Sequence, residues 1–273
     1  MAAPVLPGNL ADIGPWMERD GSKSFRTVKS AERTLALFEL FSLYQRPMGV
    51  GEISRALAIP QPSVSMLVRN LTSLGYLEHD RVDRTYVPTI RIMLLGTWIS
   101  RRFSEEHNLD RRLDELLART GESILVAIQN GIYSQYVLAK LPSHPGRLEV
   151  QSGLLRPITM TAVGRALLSL RPDQEVEAII RRCNAEVTEE RHRVRPAEFM
   201  DVIRQVRANG YARTNGDMTP GRSVIAVTVP GPVGRMPMAV GIGGLVAHVK
   251  EKEAEILAAL RQFQAESPPP VED

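Results

Sequence analysis

The sequence has one cysteine, few aromatic residues and no long apolar run, and each shortage excludes a class of protein. Cys183 alone can form neither an internal disulfide framework nor a cysteine-based zinc cluster, which favours a reducing compartment. An aromatic content of 5% argues against a sugar-binding site or a quaternary-amine cage. No apolar run approaches the length of a membrane span, and the amino terminus lacks a basic region followed by an apolar one. We therefore expect a cytoplasmic protein that does not associate with membranes.

Motifs of enzymatic and cofactor chemistry are also missing. The sequence contains no G-x-S-x-G, no P-loop and no H-E-x-x-H. The segment GIGG at 241–244 follows a predicted strand, but Val246 stands where the third glycine of a dinucleotide turn belongs. The histidines are scattered and accompany no carboxylate pattern typical of a metal site: they are His79, His107, His144, His192 and His248. We expect no enzymatic activity, no metal and no other cofactor.

The amino-terminal third of the sequence is basic. Between Lys23 and Arg102 there are twelve Lys and Arg against six Asp and Glu, whereas the remainder has 22 against 25. The excess is almost entirely arginine, whose planar guanidinium suits phosphates and guanine edges. Such a concentration of positive charge indicates a polyanionic partner. Small domains often carry a few surplus basic residues, so the charge is suggestive and not decisive.

The pattern over residues 25–88 predicts three short helices and a two-stranded ribbon. The segments TVKSAERTLALFELFSLY and VGEISRALAI have apolar residues at helical spacing. The third helix has Pro62 at its first position, with Gln61 just before it, and stops at Gly75. Strands are predicted at 76–79 and 85–88 around a polar turn. The inner stripe of the third helix is predicted to consist of Val64, Leu67, Val68, Leu71 and Leu74.

This layout is that of a winged helix-turn-helix, and the third helix is its candidate recognition helix. A recognition helix buries one face and offers a second face that is narrow and polar enough to enter the major groove of DNA. An ordinary amphipathic helix with a solvated face is the alternative, but it does not explain the proline start, the ribbon and the arginine excess together. The candidate DNA-binding residues on the helix and the ribbon turn are Gln61, Pro62, Ser63, Ser65, Met66, Arg69, Arg81 and Arg84.

The rest of the chain predicts an α+β architecture. Residues 1–24 and 266–273 are expected to be a flexible arm and tail, and 89–106 a linker helix. The apolar face of that helix packs either on its own domain or on a partner chain: Ile92, Leu95, Trp98, Ile99 and Phe103. Over 107–265 strand-like segments, including RLEVQSG at 147–153, alternate with helix-like ones and end in a single predicted helix, HVKEKEAEILAALRQFQ. We interpret 107–265 as a second domain.

Several motifs, in order, resemble the IclR family of bacterial transcription regulators. They are SAERTLALFELF, GEISRALAIPQPSVSMLVRNLTSLGYLEHD, TGESILVAIQNG, TMTAVGRALLSL and GYARTNGDMTPGRSVIAVTVPG. The resemblance implies a winged helix-turn-helix joined by a linker helix to a GAF-like effector-binding domain. It also implies a homodimer or homotetramer on a double-stranded DNA operator, and a small-molecule effector, often an aromatic or carboxylate catabolite. Regulators of this design act as repressors and as activators, and we favour repression.

The resemblance also implies where the effector binds. The family pocket is lined by the turn before the TAVGR helix and by two facing strands. In this sequence these positions are Leu154, Met160, Thr161, Ala162 and Gly164 on one side, and Asp217, Val224, Gly241 and Gly243 on the other.

This sequence departs from the family pattern at three of those positions. A cysteine is frequent in the family where Val224 stands, and small hydroxyl residues are common where Gly241 and Gly243 stand. Two interpretations stay open: a roomier, more apolar pocket for a bulky ligand, or glycines that permit close strand–helix packing. Arg222 or Arg147 is expected to pair with a ligand carboxylate. A protein that binds ligand without controlling transcription is the remaining alternative function, and a gel shift at the adjacent promoter separates the two.

Overall fold

The computed structural model describes residues 28–101, 108–144, 147–148, 150–187, 190–231 and 236–267. The predicted arm, the end of the predicted linker helix at 102–106, His107 and most of the predicted tail lie outside these residues. The described chain forms two compact units, which divide between Ser100 and Arg101. In the described ranges, no helix is long and apolar enough to cross a membrane.

The amino-terminal unit has the winged helix-turn-helix arrangement. Its helices are α1 (Lys29–Tyr44), α2 (Val50–Leu57), α3 (Gln61–Ser73) and α4 (Arg91–Arg101). Its strands are β1 (Met48–Gly49), β2 (Leu77–Asp80) and β3 (Thr85–Pro88). The sheet is antiparallel in the order β1-β3-β2. Strand β1 was not predicted, because two residues are too few to show an alternating pattern.

The third helix differs from the prediction at both ends. It begins at Gln61, so Pro62 is its second residue; the carbonyl of Pro60 accepts hydrogen bonds from the amides of Ser63 (2.9 Å) and Val64 (3.1 Å). A proline is tolerated there because the first amides of a helix lack intrahelical partners. Leu74 was predicted to be buried but is 51% exposed, and it is the residue that ends the helix, after Ser73.

The carboxyl-terminal unit is built on a six-stranded antiparallel sheet. Its strands are β4 (Ser123–Asn130), β5 (Tyr133–Lys140), β6 (Leu155–Pro157), β7 (Ala212–Asn215), β8 (Arg222–Val229) and β9 (Met238–Leu245). The strand order is β6-β5-β4-β9-β8-β7. Its helices are α5 (Leu109–Thr120), α6 (Ala162–Ser169), α7 (Asp173–Glu186), α8 (Pro196–Asn209), α9 (Val246–Glu251) and α10 (Glu253–Ala265).

Helices cover both faces of this sheet, as the alternation of its strands requires. On one face, large residues such as Ile124 and Val240 pack against α5, α9 and α10. On the other face, small residues such as Ala127, Ala226 and Ala239 pack against α6 and α8. Small side chains let α6 approach the sheet closely, and a cavity lies on this face.

Two predictions for the carboxyl-terminal unit were wrong. Among the described residues of 147–153 there is no strand; the amide of Leu148 bonds to the Ser123 hydroxyl instead of to a neighbouring strand. The final helix is not continuous but divides into α9 and α10 at Lys252, whose ammonium donates to the carbonyl of Thr120 at 2.8 Å. Neither long-range contact is visible in a local pattern.

Candidate nucleic-acid interface and ligand cavity

Helix α3 has a buried face and a face of small and polar groups. Val64, Val68 and Leu71 are buried in the core of the amino-terminal unit. On the other side Gln61, Pro62, Met66 and Arg69 are exposed, Met66 by 68%, whereas Ser63 and Ser65 are half-buried. Four of the six candidate residues of α3 are therefore exposed, and the two serines are partly exposed.

The guanidinium of Arg69 is oriented by the helix that carries it. Its Nε donates to the carbonyl of Ser65 at 3.1 Å. Its two terminal nitrogens have no hydrogen-bond partner within the described residues. These two nitrogens can donate hydrogen bonds to a guanine edge or to phosphate oxygens.

The turn between α2 and α3 is fixed by local hydrogen bonds. The Ser54 hydroxyl donates to the carbonyl of Ile59 at 2.6 Å, and the Ile59 amide donates to the carbonyl of Ser54 at 3.1 Å. Ala58 between them adopts a left-handed conformation with φ of 51°, which costs a residue with a Cβ about 1 kcal/mol. These contacts hold α3 at a defined angle to α2.

The ribbon turn presents both predicted arginines to solvent. Arg81 and Arg84 lie in the turn between β2 and β3 and are exposed. The Asp80 carboxylate accepts from the amides of Val82 (2.8 Å) and Asp83 (3.1 Å), and these bonds lower the pKa of Asp80. The side chain of Asp80 thus shapes the turn that carries the arginines.

Helix α4 exposes most of its apolar residues within the described chain. Leu95 is 58% exposed, Trp98 51% and Ile99 37%, whereas Ile92 is half-buried. Phe103, predicted on the same face, lies outside the described residues. So many exposed large apolar side chains on one helix are unusual for a monomer.

A cavity of about 50 Å³ lies in the carboxyl-terminal unit, with room for a few water molecules or a compact organic acid. Five residues predicted for the effector site line it: Met160, Thr161, Ala162, Asp217 and Val224. Thr161 caps α6 through its hydroxyl, which accepts from the amide of Gly164 at 3.0 Å. The start of α6 and the β7–β8 turn therefore both contribute to the walls of this cavity.

The other four predicted effector residues are not in the lining. Leu154 packs against the apolar cluster beneath α6. At Gly164, a Cβ would collide with the carbonyl of Ile158, so this glycine permits close packing of α6. The remaining two, Gly241 and Gly243, lie in β9 below the cavity.

The expectation of a roomier pocket is not supported by the surroundings of these strand glycines. A Cβ on Gly243 would lie 2.6 Å from Cγ2 of Val224 and 3.2 Å from Cδ2 of Leu148. A Cβ on Gly241 would lie 3.1 Å from both Val163 and Val224. Neighbouring side chains fill the space that the missing side chains leave, so the glycines serve packing.

Sequence reasoning missed more than half of the cavity lining. The additional residues are Tyr136, Leu148, Val150, Arg156, Thr214, Met218, Thr219 and Arg222, of which only Arg222 had been considered. The other arginine considered, Arg147, is not in the lining, and its Nη1 donates to the carbonyl of Pro142 at 3.4 Å. No local sequence pattern marks Arg156 as a lining residue, because Leu154, two residues before it, is not in the lining.

Positive side chains outnumber negative ones in the cavity lining. Arg156 and Arg222 line the cavity, and the one carboxylate among its lining residues, Asp217, is paired with Arg165 at 2.9 Å. Burial raises the pKa of Tyr136 to about 12, so its phenol stays protonated and can donate a hydrogen bond. Within the described residues, no group of His, Cys, Asp and Glu could hold a metal ion.

A helix-turn-helix unit with a ribbon wing, followed along the chain by a separate unit that contains a cavity, is the organisation of a transcription regulator with an effector domain. The family model described as the IclR helix-turn-helix domain matches residues 30–81, and the model described as the bacterial transcriptional regulator IclR C-terminal domain matches 106–267. The chain belongs to the IclR family of DNA-binding transcription regulators, whose members are not enzymes.

Individual relatives agree with this assignment. The glycerol operon regulatory protein of Streptomyces coelicolor is 27% identical over 86% of this chain and 93% of its own length. The Pca regulon regulatory protein of Pseudomonas putida is 26% identical over 96% and 90%. An IclR homologue from Microbacterium hydrocarbonoxydans, solved in complex with 4-hydroxybenzoate, has the same fold with a TM-score of 0.68, 17% identity and coverage of 87% and 98%.

Proposed function

We propose that this regulator represses an operon by binding its operator through α3 and releases the DNA when a carboxylate catabolite occupies the cavity. On the DNA side, the outer face of α3 enters the major groove, where Arg69 reads a base edge and Met66 contacts a thymine methyl group. Arg81 and Arg84 contact the sugar–phosphate backbone from the wing, which adds affinity without sequence information. The remaining proposed contacts are Gln61, Pro62, Ser63 and Ser65.

A carboxylate effector is supported above all by the charge of the cavity. Two guanidinium groups, those of Arg156 and Arg222, line the cavity, whereas Asp217, the one carboxylate among the lining residues, is paired with Arg165. The carboxylate lies against these arginines, and the apolar body of the ligand lies against Leu148 and Val224. A solved homologue holds an aromatic carboxylate, 4-hydroxybenzoate, so the fold accommodates this chemistry.

The proposed regulator is a homodimer or homotetramer. Two recognition helices that read half-sites on one face of DNA lie about 34–36 Å apart. The exposed apolar face of α4, with Leu95, Trp98 and Ile99, is the surface proposed to pack against a second copy. A ligand changes operator affinity only if it binds the DNA-bound and the DNA-free form of the regulator with different affinities. Such coupling is typically about 1–3 kcal/mol.

Calorimetric titration tests the effector class. Benzoate, 4-hydroxybenzoate, pyruvate and glyoxylate are the acids, and glycerol is the uncharged control. We expect at least one acid to bind and to release the protein from DNA upstream of its own gene, and glycerol to do neither. Arg222→Gln should weaken that binding, whereas Arg147→Gln, outside the lining, should not. Binding of glycerol alone, or equal binding by the Arg222 variant, contradicts the proposal.

A further inference from the structure

One buried arginine outside the cavity joins three of the segments that form its walls. Arg165, on α6, has a side chain only 11% exposed. Its Nε donates to the carbonyl of Thr159 at 3.0 Å, and its Nη1 donates to the carbonyl of Arg213 at 3.2 Å. Its Nη2 donates to a carboxylate oxygen of Asp217 at 2.9 Å.

Each of these acceptors belongs to or adjoins a lining residue. Thr159 precedes Met160, Arg213 precedes Thr214, and Asp217 itself lines the cavity. Arg165 is not among the lining residues, so it acts on the site only through these neighbours. A planar guanidinium with donors in fixed directions sets the spacing of the groups that accept from it.

The ion pair also shapes the turn that closes the cavity. The second carboxylate oxygen of Asp217 accepts from the amide of Asn215 at 2.7 Å. Gly216 and Gly221 on either side of Asp217 have φ of 79° and 74°, a left-handed conformation that glycine adopts readily. Both oxygens of Asp217 therefore accept hydrogen bonds from protein groups, one from Arg165 and one from the Asn215 amide within the turn.

We propose that Arg165 and Asp217 form a latch that positions the cavity walls for the effector, with neither residue as its main ligand. Asp217 had been predicted to bind the effector directly, and the proposal reassigns it to a positioning role. The effect of the latch on ligand binding rests on the proposed function, because the latch preorganises the site for the carboxylate that Arg156 and Arg222 are proposed to bind. Preorganised walls raise affinity because less ordering is required when the ligand binds.

The variant that tests the latch is Asp217→Asn, which keeps the size of the side chain. Arg165 and the Asn215 amide donate to different oxygens of Asp217. In the asparagine variant one of these oxygens becomes an NH2 group, which cannot accept, so one of the two donors loses its acceptor in place. Asp173→Asn is the matched control: Asp173 accepts from Arg207 at 2.6 Å in the same unit and is not in the lining.

Hydrogen exchange on the ligand-free full chain tests the latch by itself. In Asp217→Asn we expect exchange about tenfold faster for amides in 158–162 and 212–222, and unchanged exchange in α10. Asp173→Asn should change neither region. Unchanged exchange at the cavity walls, or faster exchange throughout the unit as a merely structural role predicts, would overturn the proposal.

Effector affinity provides the second measurement, with pyruvate and 4-hydroxybenzoate as probes. Any probe that the wild type binds should bind about tenfold more weakly to Asp217→Asn and equally well to Asp173→Asn. A probe whose affinity survives the change contradicts a positioning role. If the wild type binds neither acid, the carboxylate proposal fails, and the hydrogen-exchange result alone decides whether the latch exists.

Discussion

Adding one methyl group at Gly243 tests whether the glycines of β9 serve packing. The new Cβ would lie 2.6 Å from Cγ2 of Val224 and 2.9 Å from the carbonyl oxygen of Ser223. Carbon atoms in contact prefer about 3.5–4.0 Å, so Val224 has to move by roughly 1 Å. Overpacking of this kind costs about 1–3 kcal/mol. At about 2–4 °C per kcal/mol for a domain of this size, we expect Gly243→Ala to melt several degrees below the wild type.

Two further variants show where the cost arises. Gly241→Ala should lower the melting temperature less, because its Cβ would meet only side-chain atoms, at 3.1 Å or more. Val224→Ala in the Gly243→Ala background should recover part of the loss, while the contact with the Ser223 carbonyl keeps the recovery incomplete. Thermal unfolding followed by circular dichroism measures all of these proteins. If Gly243→Ala melts like the wild type and changes only ligand affinity, the space beside Gly243 belongs to the cavity and our reasoning is refuted.

Two other predictions concern single titratable side chains. The pKa of Asp80 is below its ordinary value of 3.8 because two turn amides bind its charged form, so that form stabilises the folded wing. This contribution to stability is present above about pH 3.8 and disappears as the pH falls through the lower pKa that Asp80 has in the folded protein. The NMR chemical shifts of the Val82 and Asp83 amides should titrate at that lower pKa. Asp80→Ala should abolish this titration. Cys183 is 2% exposed, and burial raises the pKa of its thiol to about 12. A thiol reagent at pH 8 should therefore label it only after unfolding, and rapid labelling of the native protein would contradict its burial.

The elements that the sequence predicted well are those whose pattern is local. Strands β4 and β8 alternate between two buried faces, and α3 has a clear stripe between Pro60 and Gly75, so these elements were confirmed. The segment around Leu148 has the same alternation but is held by the hydroxyl of Ser123, 25 residues away. The division of the last helix at Lys252 likewise depends on Thr120, far away in the sequence.

The cavity was less predictable than the fold because its walls come from separate segments. Arg156 reaches the site only through the order of strands β6, β5 and β4, which no local pattern reveals. Whether Gly243 leaves space or permits packing depends on Leu148, nearly a hundred residues earlier. The pairing of Asp217 with Arg165 is also long-range, and it changes the role inferred for Asp217.

Binding of the purified protein to DNA upstream of its own gene, compared with random duplex of equal length, tests the central claim most directly. The wild type should prefer its own sequence, and Arg69→Ala should lose about 1–3 kcal/mol of that preference while retaining nonspecific binding. Arg81→Ala should instead weaken binding to both duplexes alike and reduce the salt dependence by about one unit of slope. Equal binding of the wild type to the two duplexes, or no effect of either substitution, would contradict the placement of α3 and the wing on DNA.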